Sequence, residues 1–380
     1  MEISNNNTSF ITNEENKTSM FENDKEQIHQ ESSFFSKKDN KRLHWMIVFI
    51  PIVIIIGIIC FLVVNNTESY STEIKEYMEK AENGDADAQY DLGICFFNGD
   101  GVDKDTLKAV YWFTKSAEQG YAEAQNILGM YYKLNSGVDK NLEKAVYWFT
   151  KSAEQGNKDG QSNLGTCYCF GDGVEKDLTK AVYWYTKASE QGDVFAQNNL
   201  GVCYQNGDGV EKDLEKAEYW FTKSAEQGYA EAQFNLGYGL MCGIKRSFDS
   251  DQAINWILKA AEQGHVEAQY NIGIYYQIDI SDKKDYKKAV YWLTKAAEKG
   301  HAEAQFSLGY LYKEGKGVEQ DYKKEVYWFT KSAEQGYSVA QYHLGLCYQK
   351  GEGLEQDFIK ATEWLTKAAE QGLSAAKDYL

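Results

Sequence analysis

The sequence predicts an all-α solenoid, a stack of repeated helical units, and three observations support this prediction. Tryptophan recurs every 36 residues along most of the chain. Proline occurs once, at Pro51, while Ala, Glu, Lys, Gln and Leu dominate the repeated region, and these residues favour helices. Apolar side chains recur around each tryptophan at helical spacing, and a fixed period of this length is typical of repeat arrays. The tryptophans are Trp112, Trp148, Trp184, Trp220, Trp256, Trp292, Trp328 and Trp364.

Two segments precede the repeats. Residues 1–42 are rich in Asn, Ser, Glu and Lys, and we expect them to form a disordered polar tail. Leu43 to Val64 follow as an apolar stretch, and its part from Met46 to Val64 has a helical length of about 28 Å, which is close to that of a bilayer core. The stretch therefore predicts a transmembrane helix over 43–64. Residues 65–83 are then expected to form a juxtamembrane segment and an amino-terminal capping helix.

The charges on either side of this stretch predict its orientation. Lys37, Lys38, Lys41 and Arg42 precede it, whereas Lys75 is the only base in the fifteen residues that follow. The positive-inside rule then places the amino terminus in the cytosol. The repeats would lie in the endoplasmic reticulum lumen, at the cell exterior or in a periplasm. Because the repeats contain no Asn-x-Ser/Thr glycosylation acceptor, a cytosolic position of the repeats stays open as the alternative.

Residues 84–372 contain eight units, and each is predicted to fold as a helix, a tight turn and a second helix. In unit one the first helix covers Ala86 to Phe97 and the second covers Asp105 to Gln119. Asp105 and its equivalents lie where a side chain caps the second helix. Gly120 and its equivalents lie where a left-handed residue ends that helix. Residues 373–380 fit a truncated carboxyl-terminal capping helix.

A glycine in the middle of every first helix predicts a close approach of another helix, because glycine there costs about 1 kcal/mol relative to alanine. We expect the tryptophan ring of the unit to lie near this glycine. Replacement of Trp220 by Ala should then cost about 3–5 kcal/mol, as for a large buried aromatic side chain. The tryptophans and these glycines are interpreted as structural residues. The glycines are Gly93, Gly129, Gly165, Gly201, Gly237, Gly273, Gly309 and Gly345.

The repeated pattern closely resembles that of a known family. It reads Ala-x-Ala-Gln-x-x-Leu-Gly-x-x-Tyr, then Gly-x-Gly-Val, then Asp-x-x-Lys-Ala-x-x-Trp-x-x-Lys-Ala-Ala-Glu-Gln-Gly. This pattern resembles the Sel-1-like repeat family, whose members are relatives of tetratricopeptide repeats. The resemblance implies a right-handed α/α superhelix that acts as an adaptor for partner proteins, often in membrane-associated quality control, signalling or host–microbe contact. It implies no reaction.

Composition and motif content argue against several classes of function. The chain has 57 acidic and 40 basic residues, and its two arginines give little raw material for binding nucleic acid. No Walker loop, dinucleotide fingerprint or His-Glu-x-x-His motif occurs, and we expect no cofactor, no metal and no small-molecule ligand. A catalytic site needs converging groups, whereas the repeated residues are spread along the array. We predict that the protein is not an enzyme, with a hydrolase-like enzyme that lacks a recognisable site as the alternative.

Two rows of side chains are candidates for binding a protein or an extended peptide. Asparagines at one position of successive first helices could pair with a peptide backbone, because each amide donates and accepts hydrogen bonds. The alternative is that each amide supports the stack by bonding to a neighbouring helix or turn. These residues are Asn163, Asn199, Asn235 and Asn271.

The second row consists of tyrosines on the second helices. Exposed tyrosines could form a recognition strip, since tyrosine anchors many interfaces. The alternative is that their rings pack between units. These residues are Tyr111, Tyr147, Tyr183, Tyr219, Tyr291 and Tyr327.

Together these observations predict a membrane-anchored, non-catalytic adaptor that binds partner proteins on the concave face of the solenoid. The family resemblance suggests a role in protein quality control of the endoplasmic reticulum, including degradation complexes. A cytosolic or surface-displayed scaffold in signalling or host interaction is the alternative.

Overall fold

The computed structural model describes residues 72–241, 250–278 and 285–379. The chain divides into two compact units, Met1–Lys75 and Glu76–Leu380. Of the first unit, residues 72–75 are described, as the beginning of a helix. The helical repeats lie in the second unit. The predicted tail over 1–42 lies outside the described residues.

The described residues form α-helices joined by short turns. Even-numbered helices from α2 to α16 are the first helices of units one to eight, and odd-numbered helices from α3 to α17 are the second helices. The helices are α1 Thr72–Glu82, α2 Ala86–Asn98, α3 Thr106–Glu118, α4 Ala122–Leu134, α5 Leu142–Glu154, α6 Lys158–Phe170, α7 Leu178–Glu190, α8 Val194–Asn206, α9 Leu214–Glu226, α10 Ala230–Met241, α11 Ser250–Glu262, α12 Val266–Gln277, α13 Tyr286–Glu298, α14 Ala302–Glu314, α15 Tyr322–Glu334, α16 Ser338–Lys350, α17 Phe358–Glu370 and α18 Ser374–Lys377.

The predicted helix ends are confirmed. The Asp105 carboxylate accepts a hydrogen bond from the backbone N–H of Lys108, and Asp213 does the same for Lys216. Each second helix is followed by a glycine with positive φ, such as Gly228 at 93°. These groups satisfy backbone donors and acceptors that a helix end leaves unpaired. The capping aspartates therefore mark where the second helices begin, and the glycines mark where they end.

Successive helices pack against one another along the array, and the first helices of units two, three and four also contact each other. Second helices of consecutive units do not approach each other as closely in the described part of the chain. In units two to four the first helices are therefore closer together than the second helices. We call the exposed side chains of the even-numbered helices α2–α16 the first-helix face. The right-handed sense of the superhelix stays a prediction.

The residue that faces each mid-helix glycine is the one after the tryptophan, so the expectation for the tryptophan ring is wrong. A Cβ on Gly201 would lie 2.7 Å from the ring of Phe221, and Phe221 is fully buried. Trp220 is only partly buried and packs at the seam with the preceding unit, against a cluster that includes Tyr185. The reason is that adjacent helical residues point about 100° apart. The residues at the glycines are Phe113, Phe149, Tyr185, Phe221, Ile257, Leu293, Phe329 and Leu365.

One element of the predicted fold class, the transmembrane helix, is wrong. No helix in the described residues is both long and apolar enough to cross a membrane. The described helices have at most 13 residues, or about 20 Å, which is shorter than a bilayer core of about 30 Å. The stretch 43–64, on which that prediction rested, lies outside the described residues. The fold class is corrected to an all-α repeat solenoid of about eight units, and the single-pass topology with extracytoplasmic repeats is withdrawn.

Candidate functional site

Two of the four candidate asparagines tie neighbouring first helices together. The Asn163 amide nitrogen donates to Asn126 Oδ1 at 2.9 Å, and the Asn235 amide nitrogen donates to Asn198 Oδ1 at 2.9 Å. Each bond joins consecutive units. Asn198 is buried, so its oxygen depends on this donor. At these two positions the amides therefore have a structural role.

Within the described residues, the other two candidate asparagines have local hydrogen bonds only. Asn271 donates to the carbonyl oxygen of Glu267 in its own helix at 2.7 Å, and Asn199 Oδ1 lies 3.5 Å from the amide nitrogen of Asn198. All four candidates are partly buried and remain accessible on the first-helix face. An asparagine amide has two donor hydrogens and one acceptor oxygen, so each keeps unused hydrogen-bonding capacity. The peptide-binding role of the row stays a prediction.

The six candidate tyrosines lie in nearly the same pose on successive second helices. Tyr219 is 53% exposed, its ring lies 4.9 Å edge-on from that of Trp220, and Lys223 lies 5.7 Å from the ring centre. Each of the other five is 53% or 54% exposed. The rings rest on the tryptophan of their own unit and still present half of their surface. Their recognition role also stays a prediction.

Glutamines form a further repeated arrangement, which sequence reasoning did not identify. In unit four, Gln197 is buried on the first helix and donates to the carbonyl oxygen of Ser189 in the preceding unit at 3.1 Å. Its own oxygen accepts from Gln227, at the end of the second helix, at 2.8 Å. Units one to five, seven and eight share the pair. Each pair joins the two helices of its unit, and its first glutamine joins them to the preceding unit.

Unit six breaks this arrangement, because Lys299 replaces the glutamine of the second helix. Its ammonium donates to the carbonyl oxygen of Gly264 at 2.6 Å. Gln269, which is 3% exposed, is left with an Oε1 that has no hydrogen-bond partner in the described structure. An unpaired buried acceptor costs about 1–3 kcal/mol.

Replacement of Lys299 by Gln should therefore raise the free energy of unfolding by about 1–2 kcal/mol. The new amide can reach both Gln269 and the Gly264 carbonyl, as Gln263 reaches both Gln233 and Gly228 in unit five. The reverse change, Gln227→Lys, should lower it by a similar amount. Urea unfolding of the three proteins measures both effects, and shifts of the same sign in the two variants would contradict the assignment.

A buried carboxylate in unit seven is a second departure from the repeat. Glu325 is fully buried at a position where the other units have alanine. Its Oε1 accepts from Lys313 at 3.1 Å and contacts the Cys347 thiol at 3.6 Å, while Oε2 has no hydrogen-bond partner in the described structure. Burial raises the pKa of Glu325, and the nearby ammonium only partly opposes this. Lys313 is partly exposed and also lies 3.7 Å from Glu352, so the buried carboxylate is part of a local structural contact.

His343 packs beside this pair, against the rings of Phe306 and Phe329 at 5.3 and 5.6 Å. Burial and then the charges of Lys313 and Lys350 lower its pKa to about 4. Its unfolded pKa is about 6.5. The unfolded chain therefore binds more protons between these values. The stability that neutral His343 contributes is present above pH 6.5 and is lost as the pH falls toward 4.

We expect His343→Asn, which installs the residue that several other units have at this position, to reduce this loss. Between pH 7 and 4.5 the free energy of unfolding of the native chain should fall by about 2 kcal/mol more than that of the variant. Urea unfolding at both pH values measures the difference. Glu325 is present in both proteins, and its raised pKa acts with the opposite sign, so the comparison cancels it. Equal falls in both proteins would show that His343 does not titrate as described.

The described residues bring together no group of three or more His, Cys, Asp or Glu side chains that could hold a metal ion. The arrangement offers amides, aromatic rings and exposed charges along an extended surface, which suits contacts with a protein. Departures from the repeat were readable from the sequence, since Lys299 and Glu325 each break an otherwise regular column. What they do to their neighbours required the structure.

Comparisons with known proteins agree with this architecture. The sequence model of the Sel1 repeat matches eight consecutive segments, residues 86–121, 122–157, 158–193, 194–229, 230–265, 266–301, 302–337 and 338–373. The crystal structure of a Sel1 repeat protein from Oxalobacter formigenes is similar, with 33% identity, 81% of this chain and 90% of that chain covered, and a TM-score of 0.62.

Two further solved structures are similar to this chain. One is c5321, a protective antigen present in uropathogenic Escherichia coli strains and displaying an SLR fold, with 32% identity, coverage of 79% of this chain and 80% of that chain, and a TM-score of 0.36. The other is the immunity protein Pa5087 from Pseudomonas aeruginosa, with 22% identity, coverage of 57% and 83%, and a TM-score of 0.35. No curated protein matches the chain.

Proposed function

Because this chain belongs to the Sel1 repeat family, whose members are generally non-catalytic scaffolds that bind proteins, we propose that it holds a partner protein on its first-helix face. The observation that supports this most is the row of partly buried amides on successive first helices. An extended segment of a partner presents alternating carbonyl and N–H groups, and each amide could both donate and accept. The row consists of Asn163, Asn199, Asn235 and Asn271.

The predicted role in an endoplasmic-reticulum degradation complex depended on a lumenal position of the repeats. It is dropped together with the membrane topology. What stays in the proposal is a scaffold that binds protein, without a stated compartment.

Asn199 is the best residue for testing the amide row, because its recorded contact with Asn198 is long, at 3.5 Å. We expect Asn199→Ala to weaken partner binding about five- to tenfold, as for the loss of one or two hydrogen bonds. Its free energy of unfolding should stay within about 0.5 kcal/mol of the native value. Proximity labelling from the carboxyl terminus identifies the partner, and calorimetry with the purified partner measures the affinity.

Asn235→Ala is the matched control. It removes the donor to buried Asn198, so it should destabilise the fold by about 1–2 kcal/mol. If Asn199→Ala destabilises as much and binding is unchanged, the row is architectural. Absence of any reproducible partner, together with turnover of a small molecule by the purified chain, would replace the scaffold by an enzyme.

The tyrosine row is a second candidate surface for the same function, favoured by its uniform exposure. We propose that this row contacts the partner if the amide row does not. In that case the double substitution Tyr183→Ser and Tyr219→Ser should weaken partner binding, while Asn199→Ala should leave the affinity unchanged. The members of the row are Tyr111, Tyr147, Tyr183, Tyr219, Tyr291 and Tyr327.

A further inference from the structure

A cleft of about 400 Å³ lies between the first helices of units one and two. Its lining is largely apolar and includes Ile94, Phe97, Met130, Tyr131 and Leu134. A volume of this size is within the range of protein ligand sites and would take one or two large side chains. It is part of the first-helix face.

Apolar side chains at the rim of this cleft are exposed. Phe97 is 45% exposed and Leu134 is 63% exposed, and in unit three Phe170, at the repeat position of Leu134, is 71% exposed. Large apolar side chains that cluster at a surface often mark an interaction site. Four of the other units have polar residues at the Leu134 position, which are Asn98, Asn206, Glu314 and Lys350. Unit six has Ile278 at this position, which is 49% exposed, so the position is apolar in some units and polar in others. What is particular to units one and two is that Leu134 lies next to the exposed Phe97 at the rim of a cleft.

Tyr131, one of the lining residues, has a buried and unpaired hydroxyl. Tyr131 is 6% exposed, and its hydroxyl has no hydrogen-bond partner in the described structure. Burial raises its pKa, so the hydroxyl stays protonated and can donate. Leaving such a group unpaired costs about 1–3 kcal/mol. Most units avoid this cost with a smaller or apolar residue at the position, namely Cys95, Cys167, Cys203, Leu311 and Cys347.

Carboxylates lie one helical turn from the cleft. Asp91 precedes Ile94 by three residues, and Glu123 precedes Ile127, another lining residue, by four, so each acid shares a helix face with the cleft. Both acids are exposed. Burial is the largest cause of the raised pKa of Tyr90, and the negative charges of Glu123 and Asp91 are the next largest causes. This end of the cleft is negative.

Two lysines lie toward the opposite end of the cleft, and one of them is already paired with an acid. Lys104 lies 5.3 Å from the ring centre of Phe97, and Lys133 is paired with Asp172 at 3.3 Å. A ligand therefore meets acids near the start of the first helices and a base near the turn.

We propose that this cleft receives a large apolar side chain of a partner protein, from a segment that carries Lys or Arg beside Asp91 and Glu123 and whose backbone carbonyl accepts a hydrogen bond from Tyr131. This inference rests on the proposed scaffold function and names the partner chemistry. The apolar side chain would cover Leu134 and Phe97. The carbonyl would supply the missing partner of the buried hydroxyl.

The test uses random peptides of about 12 residues, displayed on phage and selected on the full chain. We expect enriched peptides to share a Phe, Leu, Met or Trp followed or preceded within about four residues by Lys or Arg, as the spacing on one helix face requires. An enriched peptide is then synthesised with a fluorescent label, and its affinity is measured by anisotropy. A copy with the base changed to Glu should bind at least about tenfold more weakly.

Variants then locate the binding. Leu134→Glu, which copies the Glu314 of unit seven and should fold, is expected to weaken binding at least about tenfold. Tyr131→Phe should weaken binding about fivefold and yet raise the melting temperature of the unbound chain, because it removes an unpaired hydroxyl. The matched control is Ile278→Glu, at the repeat position of Leu134 in unit six, which should leave binding unchanged.

The outcomes separate this inference from the scaffold function. If a peptide still binds the Leu134→Glu variant but does not bind the Asn199→Ala variant, the cleft proposal is wrong and the scaffold function is still supported. Enrichment of acidic peptides, or a Tyr131→Phe variant with native affinity, also overturns the cleft. If no peptide is enriched, the cleft proposal is wrong. The scaffold function is then tested separately, by proximity labelling from the carboxyl terminus.

Discussion

Replacement of Phe221 by Ala is expected to lower the free energy of unfolding by about 3–5 kcal/mol, as for other fully buried aromatic side chains. Phe221 is fully buried in the central unit, and its ring lies against Gly201. Its removal leaves a cavity that the facing helix cannot fill, because glycine has no side chain there. Urea unfolding of the full chain, with hydrogen exchange of the central helices, measures the loss.

Trp220→Ala provides the contrast. This substitution should lower the free energy of unfolding by less, about 2 kcal/mol, because the Trp220 ring is only partly buried where two units meet. This replaces the larger value that the sequence predicted for Trp220. Equal losses in the two variants would mean that the tryptophan, and not its neighbour, forms the core of the unit.

A double-mutant cycle tests the contact directly. Gly201→Ala alone should destabilise the chain, because its Cβ would lie 2.7 Å from the ring of Phe221. In the Phe221→Ala background the same methyl group enters the cavity, so that its cost should vanish or become a gain. The interaction energy should be about 1–3 kcal/mol. Additive losses would show that the two residues do not share one space.

The helical frame was predictable from the sequence because its signals are local. Asp213 caps a helix three residues away, and Gly228 ends the same helix. Eight copies of such signals define the positions of the helices. The mid-helix glycine also indicated a close approach correctly, although it did not indicate which neighbour approaches.

The candidate site was less predictable because it depends on contacts between residues about 30 to 37 positions apart. Asn163 meets Asn126 only when two units stack, and Gln227 meets Gln197 only when the two helices of one unit pack together. Two residues that depart from the repeat, Tyr131 and Lys299, were visible in the sequence as irregularities. Whether an irregularity leaves an unpaired atom depends on its burial, and a sequence pattern does not give that.

Gly209→Ala is the second substitution expected to have a large effect, about 3–5 kcal/mol. Gly209 is the second glycine of the Gly-x-Gly turn in unit four and has φ of 71°. A Cβ there would overlap the carbonyl group of Leu178, at the start of the second helix of unit three. Backbone atoms cannot rotate away, so the two units must separate. The cost combines an overpacked contact with the penalty of a left-handed alanine.

Gly207→Ala is the control that separates these two contributions. Gly207 also has positive φ, at 85°, but its nearest neighbour to a Cβ would be Lys212 at 3.4 Å, an ordinary contact. It should cost about 1–2 kcal/mol, the backbone penalty alone. Unit two supports this difference, since Asn135 occupies the first position with φ of 56° while Gly137 keeps the second. The first glycine is therefore favoured only by its left-handed backbone conformation. The second is needed because the backbone of the preceding unit leaves no space for a side chain. Thermal and urea unfolding that give the two variants equal losses would refute this account of how adjacent units are held together.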